Sequence, residues 1–282
     1  MTPGALIAAG ALLVVGVIAL DLLAGRVMRP AQRLPERTVP ELGMDHEDLT
    51  IPSGDHELAA WLLRSGPGPS HGPLCLLAHG WGASYGTVLE LGEPLAKAGH
   101  DVLLFDVRGH GRNEPVPYVT ARHFREDVIA VARYAAERFP DRQLVVIGHS
   151  LGGAAAVLAA ADGAPLDGLV LIAAPSDVMK VTAKFLSDKG MPGGLMVIVL
   201  RPFFWRRIGG TFRSLTPGLR IRELDLPILI IQPEHDVRVT RDHADHLAEA
   251  AGIEYNLIAR GHIDVLSAPE TLRLVQEFLE EL

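Results

Sequence analysis

Residues 148–152 read Gly-His-Ser-Leu-Gly and stand between an apolar run, residues 144–147, and a stretch of small residues, 153–160. This is the G-x-S-x-G pattern in the order strand, sharp turn, helix, the context in which the pattern has chemical meaning. Glycines on both sides of Ser150 allow a strained backbone and close packing of the turn. The pattern therefore predicts a Ser150 hydroxyl raised above a sheet edge, beside the free N–H groups of a helix N-terminus.

A base and a carboxylate must accompany such a serine, because its hydroxyl becomes a nucleophile only when an oriented base takes its proton. Residues 227–231 predict a buried strand, and Glu234 and Asp236 follow it. Residues 255–258 predict the next strand, and His262 follows that. The chain order serine, acid, histidine is that of one hydrolase architecture.

The choice of carboxylate rests on position. We select Asp236 over Glu234 because a loop leaving a strand end can direct a side chain back over the sheet. Asp264 also lies close to His262 in the chain, and we interpret it as a local partner of its own loop. The predicted catalytic residues are therefore Ser150, Asp236 and His262.

Two further segments carry a family resemblance. Residues 74–81 end in His79-Gly80-Trp81, and residues 106–111 read Asp-Val-Arg-Gly-His-Gly. Together with the Ser150 turn and the acid and base segments, they make the chain resemble an α/β-hydrolase of the serine-esterase, lipase and aminopeptidase-like group, over roughly residues 47–282. The resemblance implies an oxyanion hole formed by the backbone N–H groups of Trp81 and Leu151. It assigns a mainly structural role to residues 106–111.

The chain departs from the family pattern at two places. Asn113 stands where a serine commonly follows G-H-G-x, and Pro233 replaces a glycine usual three residues before the acid. Neither change removes a catalytic group. Because the nucleophile is a serine and not an aspartate, epoxide-hydrolase and haloalkane-dehalogenase chemistry is disfavoured.

The chemistry implied is acyl transfer in two steps, and it needs no cofactor. The sequence contains one cysteine, Cys75, and lacks H-E-x-x-H, paired-cysteine, phosphate-loop and dinucleotide patterns. We therefore expect no metal and no cofactor. The net charge of −8 and the lack of a basic patch with interleaved aromatics argue against nucleic acid as a partner.

Strand and helix patterns alternate along the chain, which predicts an α/β fold: a mostly parallel eight-stranded sheet with helices on both faces. The first two strands are expected to pair antiparallel across the turn at residues 52–55. The strands are expected near 47–51, 58–63, 74–78, 101–105, 143–147, 168–173, 227–231 and 254–258. The helices are expected near 84–98, 124–139, 151–161, 241–251 and 269–282.

One long interval, residues 175–224, separates two of these strands. In the family that the chain resembles, an insertion here forms a cap over the nucleophile and governs substrate choice. The interval contains an apolar stretch, residues 191–205, in which Trp205 is the last residue and is followed by Arg206 and Arg207. That stretch can wall an acyl pocket, touch a bilayer, or pack the cap onto the body of the domain.

The N-terminal segment forms a second unit. Residues 3–20 carry no charge, and at ~1.5 Å per residue the run approaches the ~30 Å hydrocarbon core of a bilayer. We expect residues 1–25 to be an uncleaved transmembrane anchor, residues 26–46 a stiffened linker and not a packed element, and residues 47–282 the hydrolase domain. A cleaved signal peptide is disfavoured because no Lys or Arg precedes the run and no clean A-x-A site follows it. A buried core helix is disfavoured because the segment is apolar all round.

Charge predicts the orientation. Four arginines follow the span, and only the α-amino group precedes it, so the positive-inside rule places the catalytic domain on the cytoplasmic side of the membrane. These arginines are Arg26, Arg29, Arg33 and Arg37.

Three function hypotheses follow. The first is a membrane-anchored serine hydrolase of carboxylic esters, with lipidic or other apolar acyl substrates. The second uses the same triad as a thioesterase, acyltransferase or peptidase, which the sequence does not separate from the first. The third, a non-catalytic binding module on a hydrolase fold, is disfavoured because each triad member has a candidate residue.

Overall fold

The computed structural model describes residues 2–66 and 72–282. Eight strands within these residues form one sheet in the order β1-β2-β4-β3-β5-β6-β7-β8. The pairs β1–β2 and β2–β4 are antiparallel, and the other pairs are parallel. The strands are β1 His46–Ser53, β2 His56–Leu63, β3 Leu74–Ala78, β4 Val102–Phe105, β5 Leu144–His149, β6 Gly168–Ile172, β7 Ile228–Pro233 and β8 Asn256–Ile258. The predicted mostly parallel sheet and its antiparallel start are confirmed.

Helices cover both faces of the sheet, and the two resulting cores follow from the alternation of side chains along each strand. Leu76 and Val146 belong to one core, whereas their neighbours Leu77 and Val145 belong to the other. The helices of the domain are α2 Tyr85–Lys97, α3 Ala121–Arg138, α4 Leu151–Ala161, α5 Val178–Asp188, α6 Gly193–Ile208, α7 Pro217–Arg220, α8 Arg241–Ala251 and α9 Pro269–Glu280.

The long interval between β6 and β7 is a helical insertion, as predicted. It contains α5 and α6, which pack against each other, and the short helix α7. Because it leaves the carboxyl end of β6 and returns to the start of β7, it departs from the same edge of the sheet as Ser150. Leu200, Phe204 and Ile208 of α6 are buried in the core.

The N-terminal helix, α1 Pro3–Val27, ends two residues beyond the predicted anchor. Within residues 2–66 and 72–282 it is the one helix long and apolar enough to cross a membrane. Residues 3–19 are exposed, but the last two turns pack against the domain and bury Ala24 completely. The Asp21 carboxylate accepts hydrogen bonds of 2.7 Å from Arg206 and from Arg207 of α6.

The prediction that residues 26–46 form an unpacked linker is wrong. Val39 is fully buried in the core, and the Val119 N–H donates to the Met28 carbonyl at 2.8 Å. The Gln32 amide donates to the Asn113 carbonyl at 2.5 Å. Prolines within the segment restrict its backbone, so less conformational entropy is lost when it docks. Sequence reasoning identified that stiffness but not the surface that the segment covers.

A buried ion pair fixes the loop after β4 to α3. Asp127 has no exposed side-chain surface, and it accepts hydrogen bonds from the Arg108 backbone N–H at 2.8 Å and from its guanidinium Nε at 2.8 Å. The Ser53 hydroxyl donates to the same carboxylate at 2.7 Å. The loop at residues 106–111 is therefore fixed to α3 through Asp127 and to β1 through Ser53, in agreement with its predicted structural role.

Replacing Asp127 leaves the Arg108 guanidinium buried without its main partner. We expect Asp127→Ala to lower the free energy of unfolding by about 3–5 kcal/mol. Glu126→Ala is the matched control, because Glu126 also pairs with Arg108, at 3.4 Å, but is partly exposed; such pairs contribute about 1 kcal/mol or less. Urea denaturation of both variants measures the difference, and equal losses would contradict the role given to Asp127.

Candidate active site

The turn between β5 and α4 holds Ser150 in a strained backbone conformation. Its φ is 54° and its ψ is −121°, in a region that costs a non-glycine residue on the order of 1–3 kcal/mol. The Ser150 N–H donates to the Ile172 carbonyl of β6 at 2.9 Å. Ser150 is partly exposed and lies at the carboxyl edge of the sheet.

Glycines around the turn are required by close contacts. A Cβ on Gly148 would lie 2.5 Å from the Cα of Gly153, and a Cβ on Gly152 would overlap the Ala78 carbonyl of β3. A Cβ on Gly80 would lie 2.9 Å from the Cβ of Ser150. The loop after β3 therefore packs against the start of α4 at Ser150, with no space for a side chain at Gly80, Gly148 or Gly152.

The residues predicted to form an oxyanion hole, Trp81 and Leu151, are chain neighbours of residues in the Ser150 turn. Leu151 follows Ser150 as the first residue of α4, so its N–H has no acceptor within the helix. Trp81 follows Gly80, where a Cβ would lie 2.9 Å from the Cβ of Ser150. Among residues 2–66 and 72–282, neither N–H donates a hydrogen bond to another protein group.

His79 is a residue whose role sequence reasoning missed. It is fully buried, and burial lowers its pKa to about 4, so the ring is neutral at pH 7. Its Nε2 accepts from the Val107 N–H at 3.0 Å, which leaves Nδ1 to donate to the Gly80 carbonyl at 2.8 Å. Because a trans peptide directs its C=O and its N–H to opposite sides, this bond also fixes the direction of the Trp81 N–H.

The predicted acid and base lie in contact. The Asp236 Oδ2 accepts from the His262 Nδ1 at 2.6 Å. The other oxygen, Oδ1, accepts from the backbone N–H groups of Arg238 at 2.8 Å and Val239 at 2.9 Å. Burial raises the pKa of Asp236, but these hydrogen bonds and the charge of His262 bring the pKa below its ordinary value. The carboxylate form is therefore stabilised where it can orient His262.

The rival carboxylates lie elsewhere. Asp264 is exposed at the start of a short 3₁₀ helix, Asp264–Ser267, and Glu234 is exposed after β7. Among the hydrogen bonds of the described residues, none joins either side chain to His262, and none joins the Ser150 hydroxyl to the His262 ring. Bonds to a catalytic base are often long before substrate binds.

His149 connects the two halves of the site. Its ring centroid lies 4.8 Å from that of His262, and its Nε2 donates to the His262 carbonyl at 2.8 Å. It is buried, so its pKa falls to about 3, and its Nδ1 has no hydrogen-bond partner in the described part of the chain. The loop that carries His262 is thereby attached to the residue before Ser150. No sequence signal identifies this role, because His149 occupies a variable position of G-x-S-x-G.

The surroundings of the site are apolar and partly open. Three exposed apolar residues are chain neighbours of site residues: Trp81 follows Gly80, Val237 follows Asp236, and Ile263 follows His262. Their exposed fractions are 37%, 72% and 41%. Within residues 2–66 and 72–282, no group of three His, Cys, Asp or Glu side chains could hold a metal ion.

Known proteins are similar to parts of this chain. A family model described as serine aminopeptidase, S33, matches residues 69–193, which include Ser150 but not Asp236 or His262. A pimeloyl-[acyl-carrier protein] methyl ester esterase of Xylella fastidiosa (strain M23) is 32% identical over 133 residues, 47% of this chain and 46% of that protein. The chain thus spans about half the length of the curated relatives it matches.

Solved structures resemble the chain over most of its length. An esterase of Pyrococcus furiosus has a TM-score of 0.71 at 21% identity and covers 89% of this chain and 98% of its own. A proline iminopeptidase of Mycobacterium smegmatis has a TM-score of 0.62 at 19% identity, covering 83% and 98%. At such identities the likeness concerns the fold, and the predicted α/β-hydrolase fold is confirmed.

The buried histidines make stability depend on pH. Burial lowers the pKa values of His79 and His123 to about 4 and those of His110 and His149 to about 3, whereas an unfolded histidine titrates near 6.5. Below that pH the unfolded chain binds protons that the folded chain does not. Asp106 opposes one of the four, because burial raises its pKa to about 6. The contribution of these histidines to the free energy of unfolding is therefore fully present above pH 6.5 and is lost as the pH falls below that value.

We expect the free energy of unfolding to fall by roughly 4 kcal/mol per pH unit between pH 6 and 4.5, the effect of about three protons. Denaturant titrations at several pH values measure this slope. His149→Gln, which keeps a donor for the His262 carbonyl, should reduce it, whereas His235→Gln, at an exposed position, should not. An unfolding midpoint that stays constant across this range would contradict the role given to the buried histidines.

Proposed function

We propose that this protein is a serine hydrolase that cleaves carboxylic esters with apolar acyl groups through an acyl-enzyme on Ser150. The observation that carries the proposal is the 2.6 Å contact between Asp236 and His262, on a loop attached to the residue before a strained serine. Together the two features favour His262 as an oriented base for the Ser150 hydroxyl.

In the proposed reaction, the His262 Nε2 removes the Ser150 proton while the Ser150 Oγ attacks the ester carbonyl carbon. Asp236 holds the imidazole through Nδ1 and stabilises its cation. His262 then protonates the leaving alcohol as the tetrahedral intermediate collapses to the acyl-enzyme. In the second half, His262 deprotonates a water that attacks the acyl carbon, and the released Ser150 recovers its proton.

The negative oxygen of each tetrahedral intermediate would lie between the N–H groups of Trp81 and Leu151. Removing one such donor typically costs about 3–4 kcal/mol of transition-state stabilisation. The donors are held in advance: His79 fixes the Trp81 peptide, and α4 fixes Leu151. No reorganisation of the protein is then needed when charge develops.

The substrate class follows from the surroundings of the site. The exposed apolar side chains of Trp81, Val237 and Ile263 favour an acyl group with little polarity. The relatives support ester chemistry, since the Xylella fastidiosa and Pyrococcus furiosus proteins are both esterases. A peptidase is the second candidate, supported by the serine aminopeptidase description of the family model and by the Mycobacterium smegmatis iminopeptidase. Thioester cleavage or acyl transfer would use the same groups.

We further propose that α1 is an uncleaved membrane anchor with the hydrolase domain on the cytoplasmic side. A segment removed as a signal peptide would take with it the fully buried Ala24 and the ion pairs of Asp21 with α6. The four arginines between Arg26 and Arg37 lie on the domain side of the helix, as the positive-inside rule requires of a cytoplasmic domain.

Hydrolysis of p-nitrophenyl esters from acetate to palmitate tests the proposed chemistry. The full chain in detergent should release p-nitrophenol, with the rate increasing from acetate to medium acyl chains because the site is apolar. Ser150→Ala should reduce the rate to the uncatalysed level for every ester. If the alanine variant keeps the activity, Ser150 is not the nucleophile. If wild type cleaves aminoacyl p-nitroanilides but no ester, the peptidase candidate replaces the esterase.

The identity of the acid is tested by two isosteric variants. Asp236→Asn keeps an oxygen for the Arg238 and Val239 N–H groups but removes the charge beside His262, so we expect turnover to fall by roughly 10⁴-fold, as in other triads. Asp264→Asn changes an exposed carboxylate and should leave turnover near wild type. The reverse order of effects would make Asp264 the acid.

A further inference from the structure

We propose that the outer face of the cap helix α6, with the cations around it, lies on an anionic lipid bilayer. The inference rests on the proposed anchoring by α1 and extends it from the anchor to the cap. The anchor meets the domain only at its last two turns, where Asp21 is bound by Arg206 and Arg207 of α6. A cap that also binds the bilayer would hold the Ser150 edge of the sheet close to lipid.

The first observation is an exposed apolar stripe. Its members occur at spacings of three and four residues, which places them on one face of a helix. The exposed fractions are 58% for Leu195, 68% for Ile198, 38% for Val199 and 59% for Trp205, and Pro202 is also exposed. The opposite face of α6 is buried in the core.

A surface helix of a soluble domain normally turns a polar face to water. Here both the buried and the outward faces of α6 are apolar, and its polar side chains are arginines. Contiguous exposed apolar surface of this kind marks an interaction site. Packing against the core explains the buried face of α6. The outward face has no partner in the described part of the chain.

The second observation is charge. Residues 189–222 contain seven cationic side chains and no Asp or Glu, in a chain whose net charge is −8. Several of them have acidic partners: Arg206 and Arg207 pair with Asp21, and Arg220 with Asp162 and Glu223. The seven are Lys189, Arg201, Arg206, Arg207, Arg213, Arg220 and Arg222.

Two of these cations border a groove beside the apolar stripe. Arg201 and Arg213 line an open groove of about 510 Å³ together with Ile198, Trp205 and Phe212. The Arg201 guanidinium lies 5.1 Å from the centroid of the Phe212 ring. Among the residues that the structure describes, no acidic side chain lines the groove. Cations beside exposed apolar and tryptophan side chains suit the boundary between acyl chains and anionic headgroups.

The third observation is position. The exposed part of α1, residues 3–19, ends where the helix meets α6. Asp21 is bound there by Arg206 and Arg207, and the Arg207 Nη2 also donates to the Asp21 carbonyl at 3.1 Å. If residues 3–19 lie in the hydrocarbon core, the carboxyl end of α6 lies at the membrane boundary, beside the exposed Trp205. This continuity selects a bilayer over a protein as the occupant of the face.

Site-directed spin labelling tests the proposal on the full chain in vesicles of phosphatidylcholine and phosphatidylglycerol. Ile198→Cys reports on the cap, and Val14→Cys on the exposed part of α1. Asp141→Cys is the control, because Asp141 is exposed just before β5 and so lies at the opposite edge of the sheet. The native Cys75 is fully buried, and burial raises its pKa to about 12, so unmodified protein should take up no label.

Power saturation compares access of oxygen, which concentrates in lipid, with access of a water-soluble nickel chelate. We expect a lipid signature at residues 198 and 14 and an aqueous one at 141. An aqueous signature at 198 with a lipid signature at 14 would overturn the cap proposal alone. Aqueous signatures at both would overturn the anchor and the cap together.

The role of charge has its own test. Arg201→Gln with Arg213→Gln should shift the residue 198 label towards water in the same vesicles. Arg133→Gln with Arg273→Gln, which removes the same charge from exposed positions on α3 and α9, should not. If both pairs have equal effects, the cations of the groove do not contact the lipid.

Discussion

The backbone at Ser150 is the constraint on which the rest of the site depends. A serine held at a φ of 54° persists only because its surroundings leave no alternative. Three close contacts fix this turn where β3, β5 and α4 meet. They are Gly148 with Gly153, Gly152 with the end of β3, and Gly80 with Ser150. The same packing holds the loop that leads to Trp81 and the start of α4, which is Leu151, against Ser150.

Neutral, buried histidines hold this junction together. His79 aligns the peptide that carries the Trp81 N–H, and His149 attaches the His262 loop to the end of β5. Both act as uncharged donors because burial prevents their protonation at pH 7. His79 and His149 are therefore structural donors, whereas His262 has Asp236 at its Nδ1 and is the histidine that we propose as the base.

The sequence was sufficient for features that are local or periodic. The G-x-S-x-G turn, the strand ends that carry Asp236 and His262, and the alternation of strands and helices were all predicted and agree with the structure. Contacts between distant segments were not predictable. Val39 fills the core, and Asp21 pairs with Arg206 and Arg207, which lie 185 and 186 positions away along the chain. No periodicity encodes such contacts. His149 was missed for a related reason: its acceptor is a backbone carbonyl 113 residues away.

The central claim is that Ser150, the two N–H groups and the Asp236–His262 pair act on one tetrahedral centre. A crystal structure of the protein after reaction with an alkyl fluorophosphonate tests it most directly, because the adduct mimics that centre. We expect phosphorus bonded to the Ser150 Oγ, its oxygen about 2.7–3.1 Å from the backbone nitrogens of Trp81 and Leu151, and the His262 Nε2 within hydrogen-bond distance of the Ser150 Oγ. Phosphorus on another side chain, or an oxygen directed away from both N–H groups, would contradict it.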